Sequence, residues 1–314
     1  MYDFSVVVCT YNSDIEKLFL TLKSIIRQKN IKYEIVIADD GSRTFDENSI
    51  KEYLERNKFS DYQIVSNSVN EGTVKNVISG LRVAKGRYIK AISPGDLLYD
   101  ENALVKFKKF IEKNNYKVVF GRAAYYSVEN NDIVLYQKMN PVDLQPYISC
   151  DKKAIFKNYL YYRDYILGAC LILEKEVFIR YLSIIQGKIK YAEDCSYILM
   201  VSDGLDIGFL DDFMIWYEYG SGISTNKSSF WAEMLYKDNL ECFKLVADRH
   251  PELQECYDLV IKRKNLRTIL LKWQSKLHSR YLKLKNRFAD NKVIKHPDIN
   301  VLKGILFGGS DASN

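Results

Sequence analysis

The chain has 314 residues, 47% of them hydrophobic and 27% charged, a globular composition that excludes a disordered or fibrous protein. That length predicts one catalytic-sized domain plus a tail. The net charge of +6 hides an asymmetry: residues 262–295 hold twelve Lys or Arg and one acid, Asp290, which leaves the preceding 261 residues net acidic. No 18-residue apolar run is present, and no basic region precedes an apolar stretch at the N-terminus. Neither a membrane-crossing helix nor a secretory signal is therefore expected, and the predicted location is cytoplasmic. Six cysteines, at 9, 150, 170, 195, 242 and 256, form no CxxC pair or cluster with histidine and read as reduced core thiols.

In chain order, residues 4–9 (FSVVVC) predict a strand, and residues 15–28 a helix with Leu18, Leu22, Ile25 and Ile26 on one face. Strand 34–38 (EIVIA), helix 50–57, strand 62–66 (YQIVS) and helix 73–85, closed by Gly86 as C-terminal cap, follow. Strand 88–92 (YIKAI) precedes Pro94-Gly95, then helix 101–113 and a strand KVVF. This alternation predicts an α/β fold with a mostly parallel sheet flanked by helices. From Arg122 the pattern changes: AAYYSV and DIVLY flank a polar ENN turn, as in a hairpin. Residues 141–190 read as irregular with short helices at 155–162 and 176–185. A helix at 195–202, strands IGFLD and MIWYEY, and helices at 229–247 and 251–261 complete the pattern.

Within the basic segment, Leu266, Ile269, Leu270, Trp273, Leu277, Tyr281, Leu284 and Phe288 recur at helical spacing. Such a stripe either packs on the main domain or lies on an anionic membrane surface, and the nearly acid-free polar face favours the membrane. No nucleic-acid-reading module accompanies the charge, so no nucleic-acid partner is expected.

Acids stand just after strand-like runs at Asp39-Asp40, Asp96 and Glu193-Asp194. Chemistry on a polyphosphate held through a divalent cation calls for such groups at the carboxyl ends of parallel strands. A ligand base needs a flat surface and an acceptor for an imide hydrogen, which Tyr11 and Asp39 can supply from neighbouring strand ends. Together CTYN (Cys9, Thr10, Tyr11, Asn12), ADDGS (residues 38–42), Asn70-Glu71-Gly72, Gly86-Arg87-Tyr88, Asp96 and Glu193-Asp194 resemble, in order and spacing, the large inverting glycosyltransferase family two. The resemblance covers about residues 3–225. It implies a GT-A fold, with a nucleotide-binding half at 1–120, an acceptor-binding half at 121–225 and a helical basic extension at 226–314.

It also implies roles. Thr10, Tyr11, Asn12, Asp39 and Asp40 would form the uracil pocket, with Asn70, Gly72, Lys75, Arg87, Ser93 and Gly95 along the nucleotide. Asp96 would ligate Mn²⁺ or Mg²⁺, although the family's Asp-any-Asp-Asp is reduced here to Ser93-Pro94-Gly95-Asp96. Asp194 would be the general base at a helix N-terminus, with Glu193, Tyr191, Trp216 and Glu218 toward the substrate. Ser221, Ser224 and Lys227 stand where a closing loop could reach phosphate. The expected reaction moves a hexose or N-acetylhexosamine from a UDP-sugar to a saccharide hydroxyl, on a lipid-linked glycan of bacterial surface polysaccharide. A dTDP or furanose donor, a teichoic acid or protein acceptor, and an inactive nucleotide-sugar-binding protein are the competing readings, and self-association is compatible with the sequence. The absence of GxGxxG after the first strand speaks against a dehydrogenase.

Overall fold

FSVVVCT and YEIVIAD are buried along almost their whole length, as strands covered on both faces must be. In the computed structural model they form β1 (Phe4–Thr10) and β2 (Tyr33–Asp39), separated by helix α1 (Ile15–Ile26). The structure describes residues 1–130, 132–220, 222, 228–288 and 295–308, with backbone alone at 283 and 285–288. Helix α2 (Glu47–Arg56), β3 (Tyr62–Ser66), α3 (Thr73–Val83) and β4 (Tyr88–Ile92) complete a four-stranded parallel unit ordered β3-β2-β1-β4. Leu22 and Ile25 of α1 are fully buried, each burial being worth roughly 1.5–3 kcal/mol.

The rest of the sheet is mixed. Short β5 (Leu97–Leu98), helix α4 (Ala103–Asn114), β6 (Val118–Glu129), β7 (Asp132–Tyr136), helices α5 (Gln145–Ile148) and α6 (Lys152–Lys157), β8 (Leu171–Glu174), helices α7 (Lys175–Ile185) and α8 (Cys195–Ser202), and β9 (Ile207–Glu218) follow. The order continues β4-β8-β6-β9-β5, with β7 on the flank of β6. β8 runs antiparallel to both β4 and β6, β5 antiparallel to β9, and β6 parallel to β9. Fold class and helical flanks are as the sequence predicts, but the parallel majority holds only in the first half. The expected hairpin is the β6–β7 pair.

Several local expectations change. Segments read as two strands each, before and after Arg122 and around Asp212, are the single strands β6 and β9, with register shifts at Arg122 absorbing the break. The helix expected over 155–162 is α6 running into a π turn, Asn158–Tyr162. Gly86 does not cap α3, which ends at Ala84; a Cβ there would stand 2.2 Å from Ser5 N, so the glycine permits close passage over β1. Among the cysteines, Cys150 is exposed and Cys9 half-buried.

Helices α9 (Ser229–Arg249) and α10 (Gln254–Val260) join the main core through Cys242, Phe243, Val246, Cys256 and Val260. The boundary expected after residue 225 is therefore not a packing boundary. Helix α11 (Leu266–Phe288) touches the body through buried Thr268 and Leu282, with Ser275 Oγ donating to Tyr162 O at 3.4 Å and the His278 ring tilted against Tyr162. Its opposite face carries the expected stripe in the open, from Leu266 at 76% exposed and Trp273 at 66% to Ile269 at 46%. Phe288 lies outside the described side chains. Helix α12 (Ile299–Leu306) returns to the body and closes a second core layer, in which Leu302 and Ile305 pack with Leu97, Tyr99, Phe213 and Trp216. Among the described residues no helix is long and apolar enough to cross a membrane.

Candidate functional site

The loops leaving β1 and β2 are laced together at the carboxyl edge of the parallel strands. Asn12 takes a left-handed conformation, φ 47°. Its N–H donates to Ser42 Oγ at 2.7 Å, and its Oδ1 accepts from Arg43 N at 3.0 Å. Asp39 is 1% exposed and accepts from Ser42 N and Ser42 Oγ at 2.8 and 2.5 Å. Tyr11, by contrast, is exposed beside it and open to a ligand. Thr10 is buried, its carbonyl accepting from Asp40 N. Asp40 is a loop clamp: it accepts from Asn67 Nδ2 and Glu71 N at 2.9 Å and from Gly72 N at 2.8 Å. Gly41 and Gly72 both have positive φ, and a Cβ on Gly72 would stand 2.4 Å from Lys190 Cγ. The Asn70–Gly72 loop is thus pressed against the segment leading to Glu193-Asp194. Lys75 on the first turn of α3 pairs with Glu71 at 2.6 Å.

The turn Ser93–Asp96 is gripped by α1: Gly95 N donates to Thr21 Oγ1 at 3.0 Å, and Thr21 Oγ1 donates to Asp96 O at 2.9 Å. Ser93 is exposed at its start, its carbonyl accepting from Asp96 N. The antiparallel register pairs Leu97 with Trp216; carried two residues further it sets Gly95 opposite Glu218. Accordingly a Cβ on Gly95 would meet Glu218 Oε2 at 2.3 Å, and Asp96 Oδ1 accepts from Glu218 N at 3.0 Å. Burial pushes the Asp96 carboxyl up to about 7. Glu218 itself is ion-paired with Lys17 Nζ at 2.6 and 2.7 Å. A hard divalent cation wants about six oxygen ligands around it. Here the protein offers one recessed carboxyl already accepting a hydrogen bond and one carboxylate already holding an ammonium. Among the described residues no group of three His, Cys, Asp or Glu converges. This donor set does not fit the expected Mn²⁺ or Mg²⁺, and Asp96 is better described as a buried acid closing the β5–β9 corner.

Asp194 stands at the N-terminus of α8 and makes no side-chain cap bond. Its carboxyl is accessible to water, and desolvation by the surrounding protein raises it to about 6. Glu193 is raised too, by burial first and then by the Asp194 charge. Gly168 makes room for the Asp194 carboxyl, since a Cβ there would lie 2.1 Å from Asp194 Oδ1. The segment before the acids is clamped from α9: Asp238 accepts from Lys190 N at 3.1 Å, Tyr191 N at 2.7 Å and Ala192 N at 2.9 Å. Tyr191 meets Trp231 edge to face at 5.1 Å, beside exposed Phe230.

The model of glycosyl transferase family 2 matches residues 5–182. The chain belongs to this family. Its relatives include an uncharacterized glycosyltransferase of Haemophilus influenzae, 25% identical over 63% of this chain and 59% of that one. The minor teichoic acid biosynthesis protein GgaB of Bacillus subtilis is 33% identical over 38% of this chain and 13% of that one. The chain thus spans less than two-thirds of the length of either. Among solved structures, S. aureus TarS 1-349 in complex with UDP-GlcNAc aligns at TM-score 0.56 and 19% identity, covering 82% of this chain and 71% of that one. The mannosyltransferase PcManGT of Pyrobaculum calidifontis, in complex with GDP-Man and Mn²⁺, aligns at 0.54 and 13%, covering 91% and 87%. At these identities the structures establish the GT-A architecture.

Two expected site residues of this family 2 chain lie elsewhere. Trp216 is fully buried, stacked on Tyr99 at 4.9 Å with Nε1 donating to Tyr99 O at 3.1 Å, so it is core and cannot touch a substrate. Arg87 precedes β4 at the amino edge of the parallel strands, paired with Glu174 at 3.6 Å, a full strand length from the site. Ser221, Ser224 and Lys227 lie outside the described residues. Sequence reading missed Lys17, Lys90, Gly168, Trp231 and Asp238. Lys90 is enclosed beneath the acids, donating to Ala91 O at 2.8 Å and to Ala169 O, and burial lowers its ammonium to about 8. A charged residue inside an otherwise apolar strand was the available signal; nothing local marked Asp238.

Proposed function

We propose that the chain is an inverting glycosyltransferase moving a hexose or N-acetylhexosamine from a UDP-sugar to a saccharide hydroxyl. The reading is carried by Asp194, a raised, accessible carboxyl without a hydrogen-bond partner among the described residues, a few residues along from the Lys190 segment that abuts the nucleotide loop. The acceptor hydroxyl would give its proton to Asp194 as its oxygen bonds to the anomeric carbon, while the bond from that carbon to the β-phosphate oxygen breaks and UDP leaves from the opposite face. No covalent intermediate is needed. Tyr11 would face uracil and Asp39 accept its imide hydrogen from behind. Asp40 holds the Asn70–Gly72 loop along the diphosphate. Tyr191 with Trp231 offers the acceptor sugar an aromatic wall. UDP as the nucleotide is supported by the likeness to TarS bound to UDP-GlcNAc, and a surface-polymer acceptor by the likeness to GgaB.

The acceptor in this reading is lipid-linked, at the cytoplasmic face of the membrane. Its support is α11, whose apolar stripe faces away from the body among Lys and Arg residues, where buried area and attraction to anionic lipid add. Phosphatidylglycerol vesicles should sediment the protein at low salt, less so at high salt and less so for Trp273→Glu; indifference to lipid charge would remove the membrane role. For the catalytic reading, titration calorimetry with UDP, GDP and dTDP, with and without Mn²⁺, followed by hydrolysis of a UDP-sugar panel, should show selective UDP binding and turnover of one sugar. No binding of any nucleotide would refute it.

A further inference from the structure

We infer that Lys17, rather than a metal ion, is the cation that meets the leaving diphosphate, an inference that rests on the nucleotide-diphosphate reading above. Lys17 lies in the first turn of α1, one helical turn before Thr21, the residue that grips the backbone of Gly95 and Asp96. That turn puts its ammonium on the carboxyl-edge side of the sheet, beside the Ser93–Asp96 turn, whose Ser93 and Gly95 the family resemblance sets along the nucleotide. Its side chain is 39% exposed, so the charge can swing onto a ligand, whereas Glu218, its partner, is 14% exposed and its backbone is fixed by pairing with Tyr126 of β6 and by its N–H bond to Asp96. Glu218 thereby acts as a holster: it holds the ammonium over Gly95 until phosphate oxygens, which carry more charge, compete for it.

Among the described residues, three other cations of the fold's first half are committed elsewhere. Lys90 is fully enclosed and spends its protons on two carbonyls, Lys75 is paired with Glu71 at the nucleotide loop, and Arg87 is at the far edge of the sheet. The reduced acidic motif and the Lys17–Glu218 pair are then two sides of one arrangement. Where a relative would present several carboxylates to a metal, this chain presents a carboxylate that stores a lysine. As the bond to the anomeric carbon breaks, charge gathers on the β-phosphate oxygen and the ammonium neutralises it in place.

The test compares UMP with UDP, which differ by the β-phosphate alone, by titration calorimetry of the full chain in EDTA. Wild type should prefer UDP by about tenfold or more, the scale of a charge-assisted contact to phosphate. Lys17→Ala and Lys17→Gln should bring the two nucleotides to within about twofold by losing UDP affinity only, and Lys17→Arg should keep most of the preference. Retained UMP binding shows that each variant is folded. A preference absent in EDTA and restored by Mn²⁺ would overturn the inference and return the role to a metal, and one that survives both Lys17→Ala and Lys17→Gln in EDTA would overturn it in favour of other groups of the chain. Wild type binding neither nucleotide would instead refute the nucleotide reading itself.

Discussion

The two sides of the cleft are held by the same device built at different range. On the proposed nucleotide side Asp40 accepts three hydrogen bonds from the loop at 67–72; on the proposed acceptor side Asp238 accepts three from the loop at 190–192. Asp40 reaches its loop from the end of the neighbouring strand β2. Asp238 reaches its loop from a helix in a later part of the chain. A buried carboxylate receiving backbone N–H groups fixes a loop with little freedom left, and the structure uses that device on both loops.

The largest effect expected lies on the acceptor side alone. Asp194→Asn should cut turnover by about 10²–10⁴-fold, the usual worth of a general base, while leaving UDP affinity near wild type; an equal loss of both would make Asp194 structural. Next come the clamps. Asp238→Ala and Asp40→Ala each strand three donors, at a cost on the order of 3 kcal/mol in stability. They should part in function, Asp238→Ala lowering turnover and Asp40→Ala lowering UDP affinity, and identical profiles would break the comparison. With its carboxyl near 6, Asp194 works deprotonated, so turnover should rise with pH, level above about 7 and fall roughly tenfold per unit below about 6.

Smaller effects concern stability. The Glu193-Asp194 pair is raised, so it binds protons more tightly folded than unfolded. What it contributes to stability is complete below the ordinary carboxylate range and is lost as pH rises through about 6 and beyond. Asp194→Asn should therefore raise Tm slightly at pH 8, the effect being damped by the exposure of the carboxyl, with the gap narrowing toward pH 4. A mere helix cap would show the reverse sign. Arg87→Ala, at the far edge of the sheet, should change neither nucleotide affinity nor turnover by more than about twofold, the small effect expected of an exposed ion pair.

Legibility in the sequence follows the same division. The parallel unit and the loops after β1, β2 and β4 were readable because each depends on neighbours: apolar runs, capping residues and turn-forming Asp and Gly act within a few positions. The mixed half was not, since whether a strand runs parallel depends on partners far along the chain, and β6 and β9 continue through Arg122 and Asp212, where polarity suggested a stop. Trp216 was misplaced because alternation along MIWYEY shows which residues share a face without showing which face α12 covers. Asp238 and Lys17 were invisible for the same reason: one looks like any polar residue of a helix and the other like any solvated lysine, and only the tertiary structure supplies their partners.

The second core layer carries a consequence for how the molecule is made. A chain emerging from the ribosome has every residue of the parallel unit in hand before β6 is synthesised, so the nucleotide side can condense early. Trp216, Tyr99 and Phe213 must then wait for Leu302 and Ile305. Until α12 docks, a nascent chain displays a stacked aromatic face, and a ribosome that stalls in α11 would leave that face open for a chaperone to bind.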